Sequence, residues 1–162
     1  MAHKTIKVKK HADVVGEYTA HAVLFPGALL KLDDDNEVRN HNSAGGNVVP
    51  IMFALEDELQ GNGIDVAYAA GDKVQVWFPG RGDEVLGILA DGQSVERGDA
   101  VESNGAGYLR AHTADPGDST TGTVQEAIIG IVLEHMDASS DSSGQDMGAG
   151  LGVNKRVKVL IK

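Results

Sequence analysis

Two acidic stretches are the first candidates for chemistry, because carboxylate oxygens are the ligands that Ca²⁺ takes in proteins. One is the run from Asp33 to Glu37 (DDDNE), and the other is a Ser/Gly-rich stretch that carries Asp137, Asp141 and Asp146. The run lacks the alternating D-x-D-x-D-G spacing of a calcium loop, and consecutive residues of an extended chain point to opposite faces. We therefore interpret both stretches as solvated surface loops and expect no metal site.

The other residue types that support catalysis show no signature spacing. No pair of histidines has the H-x-x-x-H or H-E-x-x-H pattern of a zinc site, and the chain has no Cys. Ser43, Ser94 and Ser103 stand outside any G-x-S-x-G elbow, which a serine hydrolase of the common type requires. The histidines are His3, His11, His21, His41, His112 and His135. These absences predict a protein that is not an enzyme and holds no cofactor.

Two glycine-rich stretches resemble phosphate loops only superficially. Gly80-Arg81-Gly82 and Asn104-Gly105-Ala106-Gly107 lack G-x-x-x-x-G-K-[ST] and do not lead into a helix, so we interpret them as hairpin turns. Arg81 would then be an exposed cation at the tip of a turn. It is either a partner contact or a solvated turn residue, and the sequence does not distinguish these readings.

The charge is divided unevenly along the chain. The net charge is −10, which argues against direct binding of nucleic acid. Eight of the 14 basic residues nevertheless lie in two acid-free terminal segments, and these supply most of our partner-contact candidates. The candidates are Lys4, Lys7, Lys9, Lys10, Arg81, Lys155, Arg156 and Lys158. Such polarity can orient a protein on an acidic surface; alternatively, the lysines protect exposed terminal strands.

Short strands separated by glycine turns account for most of the remaining sequence. Gly makes up 21 of 162 residues and Pro only 4, which indicates tight turns. Lys73–Phe78 alternates most clearly, and Gln125–Met136 favours a strand over a helix because it is rich in β-branched residues around Gly130. The dipeptide Asn104-Gly105 predicts a hairpin. Gly71-Asp72-Lys73-Val74 and Gly98-Asp99-Ala100-Val101 repeat one turn chemistry.

These patterns predict an all-β fold, a small β-barrel, β-tulip or sandwich with long polar loops. We expect residues 1–15 to form a basic N-terminal arm or first strand. Residues 16–162 would form a single β-domain with a C-terminal strand at 153–161. No apolar run reaches the ~18–20 residues of a membrane span, and the first residues lack the apolar stretch of a signal peptide. Synthesis in a cytoplasm without membrane association is the expectation.

Residues 48–110 contain a series of motifs that are familiar as a set. The first are Val49-Pro50-Ile51-Met52-Phe53-Ala54-Leu55-Glu56, Gly63-Ile64-Asp65 and Tyr68-Ala69-Ala70-Gly71-Asp72-Lys73-Val74. The series continues through Pro79-Gly80-Arg81-Gly82-Asp83-Glu84-Val85 to Leu89-Ala90-Asp91-Gly92-Gln93 and Val95–Ser103. In this order the motifs resemble the capsid decoration (cement) proteins of tailed phages. They consist of turn residues, so they mark a fold more than a site.

The resemblance implies a virion structural protein that sits on the outer surface of the phage head and cements adjacent major capsid subunits. It also implies self-association, as a homotrimer or a dimer, and an N-terminal arm that lies along the shell. The family has no catalytic residues to transfer to this chain.

Two other function classes stay open at the level of sequence. A carbohydrate-binding or carrier-like β-domain would use Trp77, Tyr68 and Tyr108 as its sugar-stacking side chains. A small hydrolase would draw on the serines, histidines and aspartates described above.

Overall fold

The computed structural model describes residues 6–9, 15–33, 36–113, 127–139 and 155–162, with the backbone alone for residues 7–9. Within these ranges the regular structure is β, interrupted by short 3₁₀ turns such as Glu58–Gln60. The strands are β1 Lys7–Lys9, β2 Val15–Ala20, β3 Leu30–Leu32, β4 Glu37–Asn40, β5 Phe53–Ala54, β6 Lys73–Trp77, β7 Glu84–Leu89, β8 Ser94–Val95, β9 Ala100–Ser103, β10 Leu109–Ala111, β11 Gly130–Val132, β12 Met136–Asp137 and β13 Lys155–Ile161. The predicted all-β class is confirmed.

Five of these strands close into a barrel in the order β7-β10-β9-β11-β13, and β13 pairs back with β7. The β7–β10 pair is parallel and the other four pairs are antiparallel. The longest ladder joins β13 to β7, from Lys155 opposite Leu89 to Leu160 opposite Glu84. β1 adds a sixth strand outside the ring by pairing with the first residues of β7. The barrel alternative among the predicted β architectures is therefore the one that the chain adopts.

A second sheet with the order β3-β4-β2-β6-β5 packs against this barrel. Its two end strands also meet, because Leu29 bridges Phe53 and the amide of Leu30 donates to the carbonyl of Met52 at 2.9 Å. The amide of Ala54 donates to the Ala28 carbonyl in the same way, at 3.0 Å. This second sheet therefore has no open edge between β3 and β5. A small ribbon, β8 with β12, completes the structure.

The buried side chains form two clusters of mainly aliphatic residues. One combines barrel residues such as Leu109 with Trp77 of the second sheet and with Ile6, all three of them fully buried. The other lies within the second sheet and reaches the barrel through Ile88 of β7. Gly87 of β7 faces the barrel interior, where an added Cβ would lie 2.6 Å from Leu109 Cδ1. Glycine at this position lets the Leu109 side chain fill the space over β7.

The Gly-Asp turn, predicted at two positions, occurs at three positions among the described residues. In each turn the aspartate carboxylate accepts a hydrogen bond from the amide three residues earlier, at 2.7 Å for Asp72, 2.7 Å for Asp83 and 2.8 Å for Asp99. The glycine before each aspartate has φ between 89° and 102°, a conformation that glycine adopts without a steric cost. The third copy, Gly82-Asp83-Glu84-Val85, has the same spacing as the two predicted ones.

The structure also tests the strand predicted at 125–136 and the hairpin predicted at Asn104-Gly105. Gln125–Met136 contributes β11 and β12 and no α-helix in its described part, residues 127–136. The predicted hairpin joins β9 to β10, although its connection spans Asn104–Tyr108 and so exceeds a two-residue turn. The Asn104 side chain organises this connection by accepting hydrogen bonds from the amides of Ala106 and Tyr108. No helix in the described ranges is long and apolar enough to cross a membrane.

Candidate interaction surfaces

The two basic terminal segments meet on one strand of the barrel. β1 pairs with one edge of β7 and β13 pairs with the other edge. Lys9 lies opposite Glu84, and Lys158 lies opposite Leu86. Residues that are about 150 positions apart in the sequence therefore share a three-stranded part of the sheet, β1-β7-β13. Lys4 and Lys10 lie outside the described residues.

Arg156 differs from Arg81, Lys155 and Lys158 because its side chain is buried within the protein. Its guanidinium ion-pairs with Asp65 at 2.8 Å and donates to the carbonyl of Pro26 at 3.1 and 3.2 Å. It also donates to the carbonyl of Ile64. Only 4% of the side chain is exposed, so little of it is accessible to a partner. Arg156 ties β13 to two loops of the neighbouring layer.

Three other basic candidates lie nearer the surface, namely Arg81, Lys155 and Lys158. Arg81 is exposed at the second position of the turn that Asp83 closes, next to Gly82, whose amide donates to the Ile161 carbonyl. Lys155 is half-buried, and its Nζ donates to the carbonyl of Asp137 at 2.8 Å. Lys158 is also half-buried on β13. Arg81, Lys155 and Lys158 stay predictions as partner contacts.

An apolar groove of about 380 Å³ opens beside the Arg81 turn. Val49–Ile51 form one wall, while Phe78 and Pro79 form part of the other, and we call this surface the Val49 groove. Val49 is 76% exposed, which is unusual for a valine. Lys162 is the one charged side chain in the described lining of the groove. An adjoining groove of about 330 Å³ shares Val49 and Pro50, and its cation is Lys31.

An acidic turn with an exposed leucine lies on the far side of β5. This segment, residues 56–66, contains four carboxylates and no basic residue, and we call it the Leu59 turn. Asp57 accepts a hydrogen bond from the amide of Gln60 at 3.2 Å and so caps the 3₁₀ turn. Leu59 is 82% exposed and Val66 is 47% exposed. The turn therefore holds an apolar side chain outward within a negatively charged segment.

Ser103 and His41, two of the residues with possible catalytic chemistry, contact each other inside the protein. His41 Nδ1 lies 2.7 Å from Ser103 Oγ, and His41 Nε2 lies 3.2 Å from the carbonyl oxygen of Asn47. Burial lowers the pKa of His41 below its ordinary 6.5. Ser103 is fully buried, and the histidine faces a carbonyl where a hydrolase triad would have a carboxylate. We interpret the pair as a structural link between the barrel and the second sheet.

The sequence analysis missed a buried carboxylate network next to this link. Glu102 is 3% exposed and accepts from Arg110 Nε at 2.8 Å, while His112 Nδ1 lies 2.6 Å from its other oxygen. Positions 102, 110 and 112 come together because β9 and β10 pair with Arg110 opposite Glu102. The Asn104-Gly105 signal predicts a hairpin here, but a two-residue turn would place Glu102 opposite Gly107, so the register that sets Glu102 across from Arg110 was not predictable from it.

The two acidic stretches lie partly outside the described residues, as do Asp141 and Asp146. In the first, Asp33 pairs with Arg39 at 3.2 Å, and Glu37 Oε2 accepts a hydrogen bond from His21 Nδ1 at 2.8 Å. In the second, Asp137 accepts hydrogen bonds from Ser139, which lower the pKa of its carboxyl group. The described residues contain no cluster of three or more His, Cys, Asp or Glu that could hold a metal ion.

Two of the three sugar-stacking candidates are inside the protein. Trp77 is 0% exposed and Tyr68 is 4% exposed. The Tyr68 hydroxyl donates to the carbonyl of Leu55 at 2.9 Å, and burial raises its pKa. Tyr108 is half-buried, and burial raises its pKa as well. The hypothesis of sugar stacking on Trp77 and Tyr68 is therefore wrong, because neither ring offers a face to a ligand.

Comparison with solved structures shows that the chain shares its fold with known proteins. No family model and no curated protein matches the chain. The chain is similar to the N base of the head fiber gp8.5 of bacteriophage phi29, with a TM-score of 0.53. The match covers 93% of this chain and 95% of that one, at 14% sequence identity. The two proteins share a fold along almost their whole lengths.

Proposed function

We propose that this chain is a structural protein of a phage virion that binds the outer surface of the head and cements adjacent major capsid subunits. The observation that carries the proposal is the likeness in fold to a phage head fiber base over 93% of the chain. The cement-protein resemblance of residues 48–110 supports the same class of function independently of that likeness. The proposed role is binding without catalysis, cofactor or direct contact with nucleic acid.

The proposed contact with the shell is the basic strip β1-β7-β13, with Lys9 and Lys158 as its members. Further contacts are Lys155, at the first residue of β13 and on the face opposite to Lys158, and Arg81, in a neighbouring turn. The middle of the chain is acidic, so this strip is the part that fits an acidic patch on a major capsid protein. The chain would act as a homotrimer at a local symmetry axis of the head, where each copy can contact more than one capsid subunit.

The proposal is tested by mixing the purified chain with undecorated heads and measuring co-sedimentation. We expect saturable binding at near-stoichiometric occupancy, and greater resistance of the heads to heat or osmotic shock. Binding should weaken as salt rises, because exposed charge pairs are screened beyond about 10 Å at 0.1 M. Heads that never acquire the chain above background would refute the proposed function.

A charge-neutralising pair of variants tests the proposed surface. Lys155→Gln with Lys158→Gln should raise the half-saturation concentration on heads several-fold and flatten its salt dependence. The matched control is Lys73→Gln, an exposed lysine on β6 whose Nζ donates to Thr19. If the control weakens binding as much as the double variant, the effect is one of net charge and the basic strip is not the contact.

A further inference from the structure

We infer that copies of this chain associate head to tail, with the Leu59 turn of one copy seated in the Val49 groove of the next. The inference rests on the self-association included in the proposed function and names the two surfaces that would carry it. It is argued from exposure, chemistry and position in the fold.

The two surfaces are complementary in shape and polarity. The Val49 groove is a concave apolar surface walled by Val49, Pro50, Ile51, Phe78 and Pro79. The Leu59 turn projects a leucine that is 82% exposed, together with Val66. An aliphatic side chain that fills an apolar pocket is one form that the central anchor of an interface takes.

The charges around the two surfaces are opposite. The described linings of the Val49 groove and of the groove that adjoins it contain the cations Lys162 and Lys31 and no carboxylate. The Leu59 turn carries Asp57 and Glu58 beside its leucine and no basic residue. In a chain with 24 acidic and 14 basic residues, two grooves whose described linings carry a lysine and no acidic side chain favour an acidic partner segment. The Leu59 turn is such a segment.

The position of the surfaces suits a head-to-tail contact. Val49–Ile51 precede β5 and the Leu59 turn follows it, so the strand separates groove from turn within one copy. β5 pairs antiparallel with β6, which places Trp77, and hence Phe78, at the groove end of the pair. Two different patches in contact make a heterologous interface, which closes into a ring when the rotation between copies allows it.

Mass measurement gives the first test. Wild-type chain in light scattering should run as a multiple of the 17.0 kDa monomer. Leu59→Asp and Val49→Asp should each shift the population to the monomer, because each places a carboxylate where an apolar contact forms. Val23→Asp is the control, since Val23 is 54% exposed and lines neither groove. Circular dichroism of each variant establishes that it is folded.

Cross-linking gives the second test and exploits the absence of cysteine from the chain. With a short bismaleimide, Leu59→Cys and Val49→Cys should form covalent dimers when the two variants are mixed and stay single when each is treated alone. Cross-linking of Val49→Cys alone would indicate a symmetric contact and overturn the inference. A wild-type chain that stays monomeric, or an oligomer in which the mixture does not cross-link above a Val23→Cys and Leu59→Cys mixture, would overturn it as well.

Head binding separates this inference from the proposed function. If wild type is monomeric and Val49→Asp abolishes binding to undecorated heads, the groove takes a capsid segment, and the head-to-tail inference fails while the proposed function stands. If wild type forms the cross-linked oligomer but never binds heads, the proposed function fails and the self-contact stands.

Discussion

His41 and Ser103 are residue types that are common in catalytic sites, but here their hydrogen bond joins two parts of the fold. The Asn47 carbonyl can only accept a hydrogen bond, so His41 Nε2 carries the proton and Nδ1 accepts from the Ser103 hydroxyl. The amide of Gly105 donates to the same hydroxyl oxygen at 3.1 Å. Protonation of Nδ1 would remove its acceptor role inside the protein. The buried pair therefore depends on a neutral histidine.

This dependence predicts a stability loss on mild acidification. The pKa of His41 is lowered from 6.5 in the folded chain, so the unfolded chain takes up the proton first as the pH falls. The protonation of His41 should therefore make no contribution to the pH dependence of the free energy of unfolding above about pH 6.5. It should fall below that pH by at most about 1.4 kcal/mol per pH unit for one proton.

Urea unfolding between pH 5 and pH 8 measures this slope. His41→Gln should be less stable than wild type at neutral pH but should lose less stability on acidification. His21→Gln, at an exposed histidine, is the control. An unchanged slope in His41→Gln would show that other groups cause the acid sensitivity.

The three Gly-Asp turns permit a graded prediction. Replacing Asp83, which is 0% exposed, by alanine leaves the Gly80 amide without its carboxylate acceptor in a part-buried site. We expect a cost of about 1–3 kcal/mol there, and about 0.5–1.5 kcal/mol for Asp72→Ala and Asp99→Ala, whose turns are exposed. Chemical denaturation of the three variants gives the ranking. Equal losses at all three positions would contradict the link to burial.

At the scale of elements, β13 joins the barrel to the loops of the second layer through Arg156. Arg156→Met would remove the donors to the carbonyls of Pro26 and Ile64, and we expect a loss of about 2–3 kcal/mol. Arg156→Lys should recover part of this loss, since a lysine keeps the charge but cannot span the separate acceptors. Lys158→Met, two residues along the strand, should change stability by less than about 0.5 kcal/mol.

Thermal or urea unfolding of the three variants is the measurement. If Lys158→Met is as destabilising as Arg156→Met, the loss reflects general disturbance of β13 and the tie to the loops is unimportant.

The sequence predicted elements better than their assembly. Alternation and glycine turns located strands such as Lys73–Trp77 because these signals are local. The prediction that Arg156 is a partner contact overlooked that the outer face of β13 is covered at this position. The second layer that covers this face comes from residues 26 and 64–65, and no local pattern reports such a contact. The pairing of β1 and β13 with β7 could not be predicted for the same reason, because it joins residues that are far apart in the sequence.

At the scale of the whole molecule, Ile6, the first residue that the structure describes, is part of the core. Ile6 is 0% exposed, its amide donates to the buried carboxylate of Glu56 at 3.1 Å, and β1 pairs with β7. Ile6→Ala should therefore cost about 2–4 kcal/mol of unfolding free energy, as large-to-small core substitutions do. Val49→Ala, at an exposed position, is the matched control and should cost less than about 0.5 kcal/mol.

Denaturation curves of these two variants decide whether the segment is an independent arm. The division of the chain at residue 15 is still a prediction, and a small effect of Ile6→Ala would favour it. A large effect means that deleting residues 1–10 would confuse loss of fold with loss of binding. Binding experiments should then neutralise individual lysines and keep the segment intact.

The position of β7 has a consequence for how the chain is made. Its two edges are covered by β1 and β10 on one side and by β13 on the other, and β13 is 66 or more residues farther along the sequence. A nascent chain that has emerged as far as β11 still exposes one edge of β7 and one edge of β11, and both are open to pairing with neighbouring chains. Such distant pairing is slow. The ring therefore stays open until β13 has been made, and truncation before residue 155 should yield aggregates.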